Sequence, residues 1–337
     1  MRRLIVTLLV PVLVLAACKD APKPDATPKP TAPEAIPSDI VYNSFFSSPS
    51  ATANLRVQFD GGLDAGGNAA VAEGPTGKAV VLDPGAEPKS KLSYAFAMGK
   101  TAVVTATVTA SVGGGGPTAG DQPPFKFTFN VTPKTRAPDG KTHFDLKIQK
   151  VEIVMTGQVD PQMAQQKGVL EKAFTGLEGG FDATSNGDVE NVSLAADKVP
   201  RMAQQILPLF AQSLEFLVIP VPSVPVGVGA KWTTTSRDEQ IGATVTTTYT
   251  LVSHNGTAAE IKTDLTRAAP KKAFEDPQAP PGSMLEVKGS GSYVIDLRLD
   301  GVSSKADGSS TMTISLTAPG QPPQNTTVKQ SQALESK

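Results

Sequence analysis

Two histidines, His143 and His254, and one cysteine, Cys18, are the only imidazole and thiol groups in 337 residues. Zinc ligation, disulfide bonds and cysteine catalysis are therefore close to excluded by inventory. A serine nucleophile would need one of the two histidines as its base. His143 lies on an alternating strand beside Asp139-Gly140, His254 abuts Asn255-Gly256, and no Gly-x-Ser-x-Gly elbow occurs. A phosphate loop needs a glycine five positions before its Gly-Lys-Thr. Gly99-Lys100-Thr101 has Tyr94 there and Gly140-Lys141-Thr142 has Thr135, so both fail, and the tract Gly113 to Gly116 reads as a hairpin tip. Asp182, Thr184, Asn186, Gly187, Asp188 and Glu190 mimic the early ligands of a calcium loop, but its twelfth position is Ser193 where a bidentate Glu belongs. An Asn-Gly hairpin explains the same residues. The carboxylate pairs Asp238-Glu239 and Glu275-Asp276 sit in polar, loop-like contexts rather than the buried ones that separate pKa values. We expect no catalytic residues, no metal and no cofactor.

The one cysteine has a different chemistry available. Met1-Arg2-Arg3, an apolar run from Leu4 to Leu15 and Ala16-Ala17-Cys18 have the layout of a secretory signal peptide, too short in its apolar core to span a membrane. Leu15-Ala16-Ala17-Cys18 resembles the bacterial lipobox, which implies that the Cys18 thiol takes a diacylglycerol and becomes an N-terminus acylated with palmitate-type chains. Lys19 follows, not the Asp that resembles an inner-membrane retention signal, so the expected address is the cell envelope of a Gram-negative bacterium, periplasm-facing or not, lipid-anchored at the outer membrane. Loss of residues 1–17 removes Arg2 and Arg3 and leaves 29 basic and 32 acidic side chains, a net charge of −3. With no basic surplus to release counterions, nucleic acid is set aside as a partner.

Whatever this chain does must be positioned by strands. Aromatic residues are 5% of the sequence, while glycine (30) and proline (29) are plentiful, a mix that suits short strands with frequent turns. After the signal (1–17), residues 18–39 read as a Pro-rich stalk and 40–79 as an irregular Gly-rich arm. Residues 80–318 form the β-rich folded domain and 319–337 a polar C-terminal tail. Apolar residues alternate at Tyr94, Phe96 and Met98, at Phe125, Phe127, Phe129 and Val131, and at Phe144, Leu146 and Ile148. Asp139-Gly140, Asn186-Gly187, Asn255-Gly256 and Asp307-Gly308 are read as four hairpin turns. Threonines 233–235 and 246–248 are expected on outer strand faces. Two amphipathic helices interrupt the strands. One starts at Asp160-Pro161 and carries Met163, Leu170, Phe174 and Leu177; the other starts near Lys198-Val199-Pro200, carries Met202, Ile206, Leu209, Phe210 and Leu214, and is expected to kink at Pro208. The fold class is mainly β with two inserted helices (α+β): a curved antiparallel sheet or half-open barrel covered on one face by two amphipathic helices.

Three segments together carry a family resemblance: Leu82-Asp83-Pro84-Gly85-Ala86-Glu87-Pro88-Lys89 leading into Leu92-Ser93-Tyr94, the apolar run Phe216 to Pro225, and Pro225-Val226-Gly227-Val228-Gly229-Ala230-Lys231-Trp232. They resemble a family of uncharacterised lipoproteins of myxobacterial type, which implies no activity. The layout is also similar to the periplasmic lipoprotein-carrier half-barrels, which implies acyl chains held between sheet and helices. Two functions follow. The first is a binding module for a lipid or other hydrophobic small molecule, with Met202, Ile206, Phe210, Leu214 and Trp232 bordering an apolar groove. The second is a structural or protein-interaction lipoprotein with a filled core. A continuous apolar cavity of about 300 Å³ would favour the first.

Overall fold

The computed structural model describes residues 56–57, 78–114, 120–155, 161–195, 199, 206–238, 243–274 and 280–337. The signal, Cys18, the stalk, most of the arm and Met202 lie outside them. Among the described residues one open antiparallel sheet dominates. Its strands are β1 (Arg56–Val57), β2 (Val80–Asp83), β3 (Ala102–Gly113), β4 (Gly120–Asp121), β5 (Phe125–Arg136), β6 (Thr142–Ile153), β7 (Glu178–Ala183), β8 (Val189–Leu194), β9 (Lys231–Asp238), β10 (Ala243–His254), β11 (Ala258–Ala273), β12 (Met284–Arg298), β13 (Lys305–Thr317) and β14 (Gln324–Ser336). Two helices accompany it, α1 (Pro161–Phe174) and α2 (Leu207–Leu214). The spatial order is β1-β8-β7-β6-β5-β3-β14-β13-β12-β11-β10-β9-β2, with β4 attached to β3. Neighbours are antiparallel throughout except β1 with β8.

The period of two puts one face of each strand inside. On β12 the odd positions Leu285, Val287, Tyr293, Ile295 and Leu297 are buried, while Lys288, Ser290, Ser292, Val294 and Asp296 are exposed. β5 and β6 behave alike, burying Phe127, Phe129 and Val131 and Phe144, Leu146 and Ile148 as their alternation foretold. Tyr94 and Phe96 are buried too, but their segment is extended chain outside the sheet. Its amides bond to Ser185 O and Leu299 O, the carbonyls of two different loops, and Met98 is exposed.

Three turns fall where expected, with Gly140, Gly187 and Gly256 at φ between 80° and 94°. The fourth does not. The chain reverses between β12 and β13 at residues 299–304, and Asp307-Gly308 lies inside β13, paired with Val294 and Tyr293. A Cβ on Gly308 would overlap Ser292 O and come to 2.5 Å from Tyr293 Cδ1, so this glycine serves close approach across strands rather than a turn. The stretch 319–337, expected as a polar tail, holds β14, which pairs with β13 on one side and β3 on the other. Two of its inward positions are Gln330 and Gln332, and that polarity hides the alternation from hydropathy. Alternation also turns Thr234 and Thr247 inward, away from the outer face on which all six threonines were expected.

Helix α1 buries Phe174 completely and packs on β6. In α2, Pro208 sits in the first turn, where a missing N–H breaks no helical bond, so it starts the described helix instead of kinking it. Phe210 is buried against Phe127 and Phe129, at centroid distances of 5.4 and 5.2 Å.

Candidate functional site

The inner face is not uniformly apolar. Ile261, Ile295, Leu297 and Leu334 belong to the large core at one end of the long strands, and Leu285, Val287, Ile314 and Val328 form a second cluster at the other. Between them runs a polar and glycine band through Thr234, Thr247, Thr263, Arg267, Gly289, Gly291, Gly308, Ser310, Gln330 and Gln332, all on inward positions. A cavity of about 130 Å³ sits on this band.

The glycines shape the cavity. On β12, Gly289 pairs with Arg267 and Gly291 with Leu265; on β13, Gly308 pairs with Tyr293. Arg267, Leu265 and Tyr293 all line the cavity, so three lining side chains each face a strand neighbour without a side chain. A Cβ on Gly291 would lie 2.6 Å from Ser310 Cβ, and one on Gly289 would lie 3.5 Å from Arg267 Cβ. At Gly291 and Gly308 the neighbouring strand closes in on the space that a side chain would take.

The roof is the strap Phe216 to Val221 that follows α2. Its backbone polar groups are satisfied by four separate elements, as buried ones must be. Ser303 donates to Leu217 O from its amide at 2.8 Å and from its hydroxyl at 3.2 Å. The Tyr94 hydroxyl donates to Ile219 O at 3.1 Å and accepts from Ile219 N at 3.0 Å. The Trp232 indole donates to Pro220 O at 2.9 Å, and Val221 N donates to Asn186 O at 2.8 Å. The strap is pinned. Asn186-Gly187 is therefore the hairpin that receives it, with Gly187 bare because a Cβ would overlap Ile219 O and stand 2.8 Å from Tyr94 Cε2. Gln332 caps the end of α2 by donating to Gln212 O at 3.1 Å, and Gln330 Nε2 bonds to Gln212 Oε1.

Charge in the cavity comes from Arg267 and Glu215. The Arg267 Nη1 meets the Met312 sulfur at 3.5 Å, and its Nε is buried with no hydrogen-bond acceptor. Both charges act on Tyr293, whose phenol is pushed up by burial first and by Glu215, against the downward pull of Ser310 and Arg267. Tyr249, stacked on Trp232 at 5.5 Å, is pushed up to about 12, mainly by burial.

Of the residues expected around an apolar groove, Ile206, Phe210 and Trp232 are buried and Leu214 is half-buried, packed against the core. None of the four lines the cavity. The lining that the sequence did not reveal mixes polar and apolar side chains, and its one signal was the run Gly289-Ser290-Gly291-Ser292 inside a strand, where glycine marks a close approach.

The remaining chemical candidates are placed as follows. His254 Nδ1 lies 3.1 Å from Ser90 Oγ, but its Nε2 is buried without a partner among the described residues, none of which supplies the acid that orients the ring in a Ser-His-Asp relay. His143 sits on the outer side, bonded to Asp182 at 2.7 Å, and Asp182 also accepts from Asn191 at 2.8 Å. Lys141 is paired with Glu190 at 2.7 Å, which holds its ammonium above the ordinary range. Among the described residues no group of three or more His, Cys, Asp or Glu is placed to hold a metal.

Two of the segments behind the family resemblance lie side by side. Ala86 N donates to Val228 O, Gly227 N to Pro84 O and Ser90 N to Val226 O, each at 2.9 Å. Gly85 and Gly227 are bare where these loops cross, because a Cβ on Gly227 would overlap Ala86 O.

Comparison with known proteins gives a match over part of the chain and no activity. Residues 208–317 match the model of a family of unknown function (DUF6263). That stretch runs from α2 to the end of β13 and carries Glu215, the strap, Tyr249, Arg267, Tyr293 and the three cavity glycines. The chain has no match among curated proteins.

Proposed function

We propose that this chain is an envelope lipoprotein, tethered through acylated Cys18, that binds one small ligand in the cavity between the inner face of its sheet and the Phe216–Val221 strap. The observation that carries this reading is Arg267, which lines the open volume and whose Nε is buried with no acceptor among the described residues. A domain serving only as a filled scaffold has no reason to bear the desolvation of an unsatisfied charged donor. In this reading the sheet is a half-open barrel, with glycines letting it bend around the cavity and the two helices covering one face. The Cys18 anchor places it at the outer membrane, each buried acyl methylene contributing about 0.8 kcal/mol. Among the described residues no helix is long and apolar enough to cross a membrane. The role is binding rather than catalysis, since the Ser90–His254 contact lacks an orienting acid.

A second reading, a structural or protein-interaction lipoprotein with a filled core, draws on volume. The cavity of about 130 Å³ is smaller than the roughly 300 Å³ of an ordinary small-molecule site, and the apolar side chains of α2 are packed solid. Native mass spectrometry of the gently extracted protein decides between them. A co-purifying small molecule supports binding, and a bare polypeptide mass supports the filled core. Cys18→Ala tests the tether: the protein is expected to leave the membrane fraction or to accumulate as uncleaved precursor. Unchanged fractionation with an unmodified, cleaved N-terminus overturns it.

A further inference from the structure

We infer that the cavity ligand is a short organic carboxylate whose anionic group pairs with Arg267, an assignment that rests on the binding reading above and adds the chemical class. The guanidinium is the cationic group of the cavity lining, and a carboxylate offers two acceptors in the plane that a guanidinium fork fits. Among the described residues no carboxylate stands within ion-pair distance of it. Its Nη1 meets the Met312 sulfur, a weak acceptor, at 3.5 Å. Glu215 lines the same cavity, so a dianion such as a phosphate monoester meets more repulsion there than a monoanion does. Around the charge, Val189, Val218, Leu265 and Ile295 supply apolar walls and Thr263 and Ser310 supply hydroxyls, which suits an aliphatic body with one polar end. The volume of about 130 Å³ limits that body to a few carbon atoms.

The chain carries its own reporter. Trp232 is the sole tryptophan; it stacks on Tyr249, which lines the cavity, and its indole is bonded to Pro220 of the roof. Butyrate titrated into the full chain is expected to change Trp232 emission saturably, with butan-1-ol and butylamine binding about tenfold more weakly or not at all. Arg267→Gln is expected to weaken butyrate binding about tenfold while Arg267→Lys retains part of it, circular dichroism showing that both fold. Equal binding of butyrate and butan-1-ol to the unaltered chain overturns the carboxylate assignment and leaves the cavity reading standing. That comparison needs no variant, so it decides the matter even where Arg267→Gln does not fold. Silence of Trp232 toward all three probes also overturns the assignment; the cavity reading then falls with it only if native mass spectrometry finds no bound molecule.

Discussion

Tyr94 joins a segment outside the sheet to the roof of the cavity through one hydroxyl that both donates to and accepts from Ile219. Tyr94→Phe leaves a buried amide and a buried carbonyl without that partner and should destabilise the fold by about 1 to 3 kcal/mol, read as a lower urea midpoint with unchanged slope. The phenols of Tyr94, Tyr249 and Tyr293 are all raised, so the folded state holds these protons longer than the unfolded chain does. Their contribution is whole below pH about 10, where both states are protonated. It declines as pH rises from about 10 towards the Tyr249 value of about 12, because there the unfolded chain binds fewer protons than the native one. The tyrosinate absorbance of these three, out of four tyrosines in the chain, should therefore appear together with loss of β-sheet circular dichroism, not ahead of it. Gly308 makes the complementary case: Gly308→Ala sets a Cβ onto Ser292 O and the Tyr293 ring, and is expected to cost about 1 to 3 kcal/mol. A variant as stable as the parent would show that the strands part easily at this point.

The alternation at Phe125 to Val131 and at Phe144 to Ile148 was legible because their inward residues are large and apolar and their outward ones polar. β14 was not, since its inward Gln330 and Gln332 bond to α2 and so look like surface residues in sequence. The same ambiguity misplaced a turn. Asp307-Gly308 has turn chemistry, but a glycine freed for φ > 0 and a glycine freed for close strand approach are the same letter. Of the candidate site, the apolar helix faces were legible, and among their described residues Phe174, Ile206 and Phe210 are core. The cavity arises from cross-strand pairs such as Arg267 with Gly289 that are set by register, and register depends on bulges such as that between Ala269 and Lys272, which no local pattern announces. β14 gives the test at this scale. Ending the chain after Ala318 removes the strand between β13 and β3 and exposes both edges, so the truncated protein should lose cooperative unfolding and aggregate. A soluble, cooperatively folded truncation would make residues 319–337 an accessory after all.

At the scale of the molecule, β14 is the seam. It joins the strands β3 to β8, built from the first part of the chain, to the strands β9 to β13, which hold half of the cavity lining. The family match covers 208–317, yet this stretch is not self-sufficient. Phe210 of α2 rests on Phe127 and Phe129 of β5, the strap is held by Tyr94 and Asn186, and β13 lacks its outer neighbour without β14. Residues 208–317 expressed alone are thus expected to remain unfolded, the removal of the Phe210 contacts by itself matching a Phe→Ala loss of about 3 to 5 kcal/mol. In the full chain the shared core makes one cooperative unit. Trp232 emission, which reports the β9 side, and far-ultraviolet circular dichroism, which reports every strand, should give coincident guanidinium transitions. Separated midpoints, or a native-like spectrum from 208–317, would show two independently stable halves, and the cavity would then belong to the C-terminal one alone.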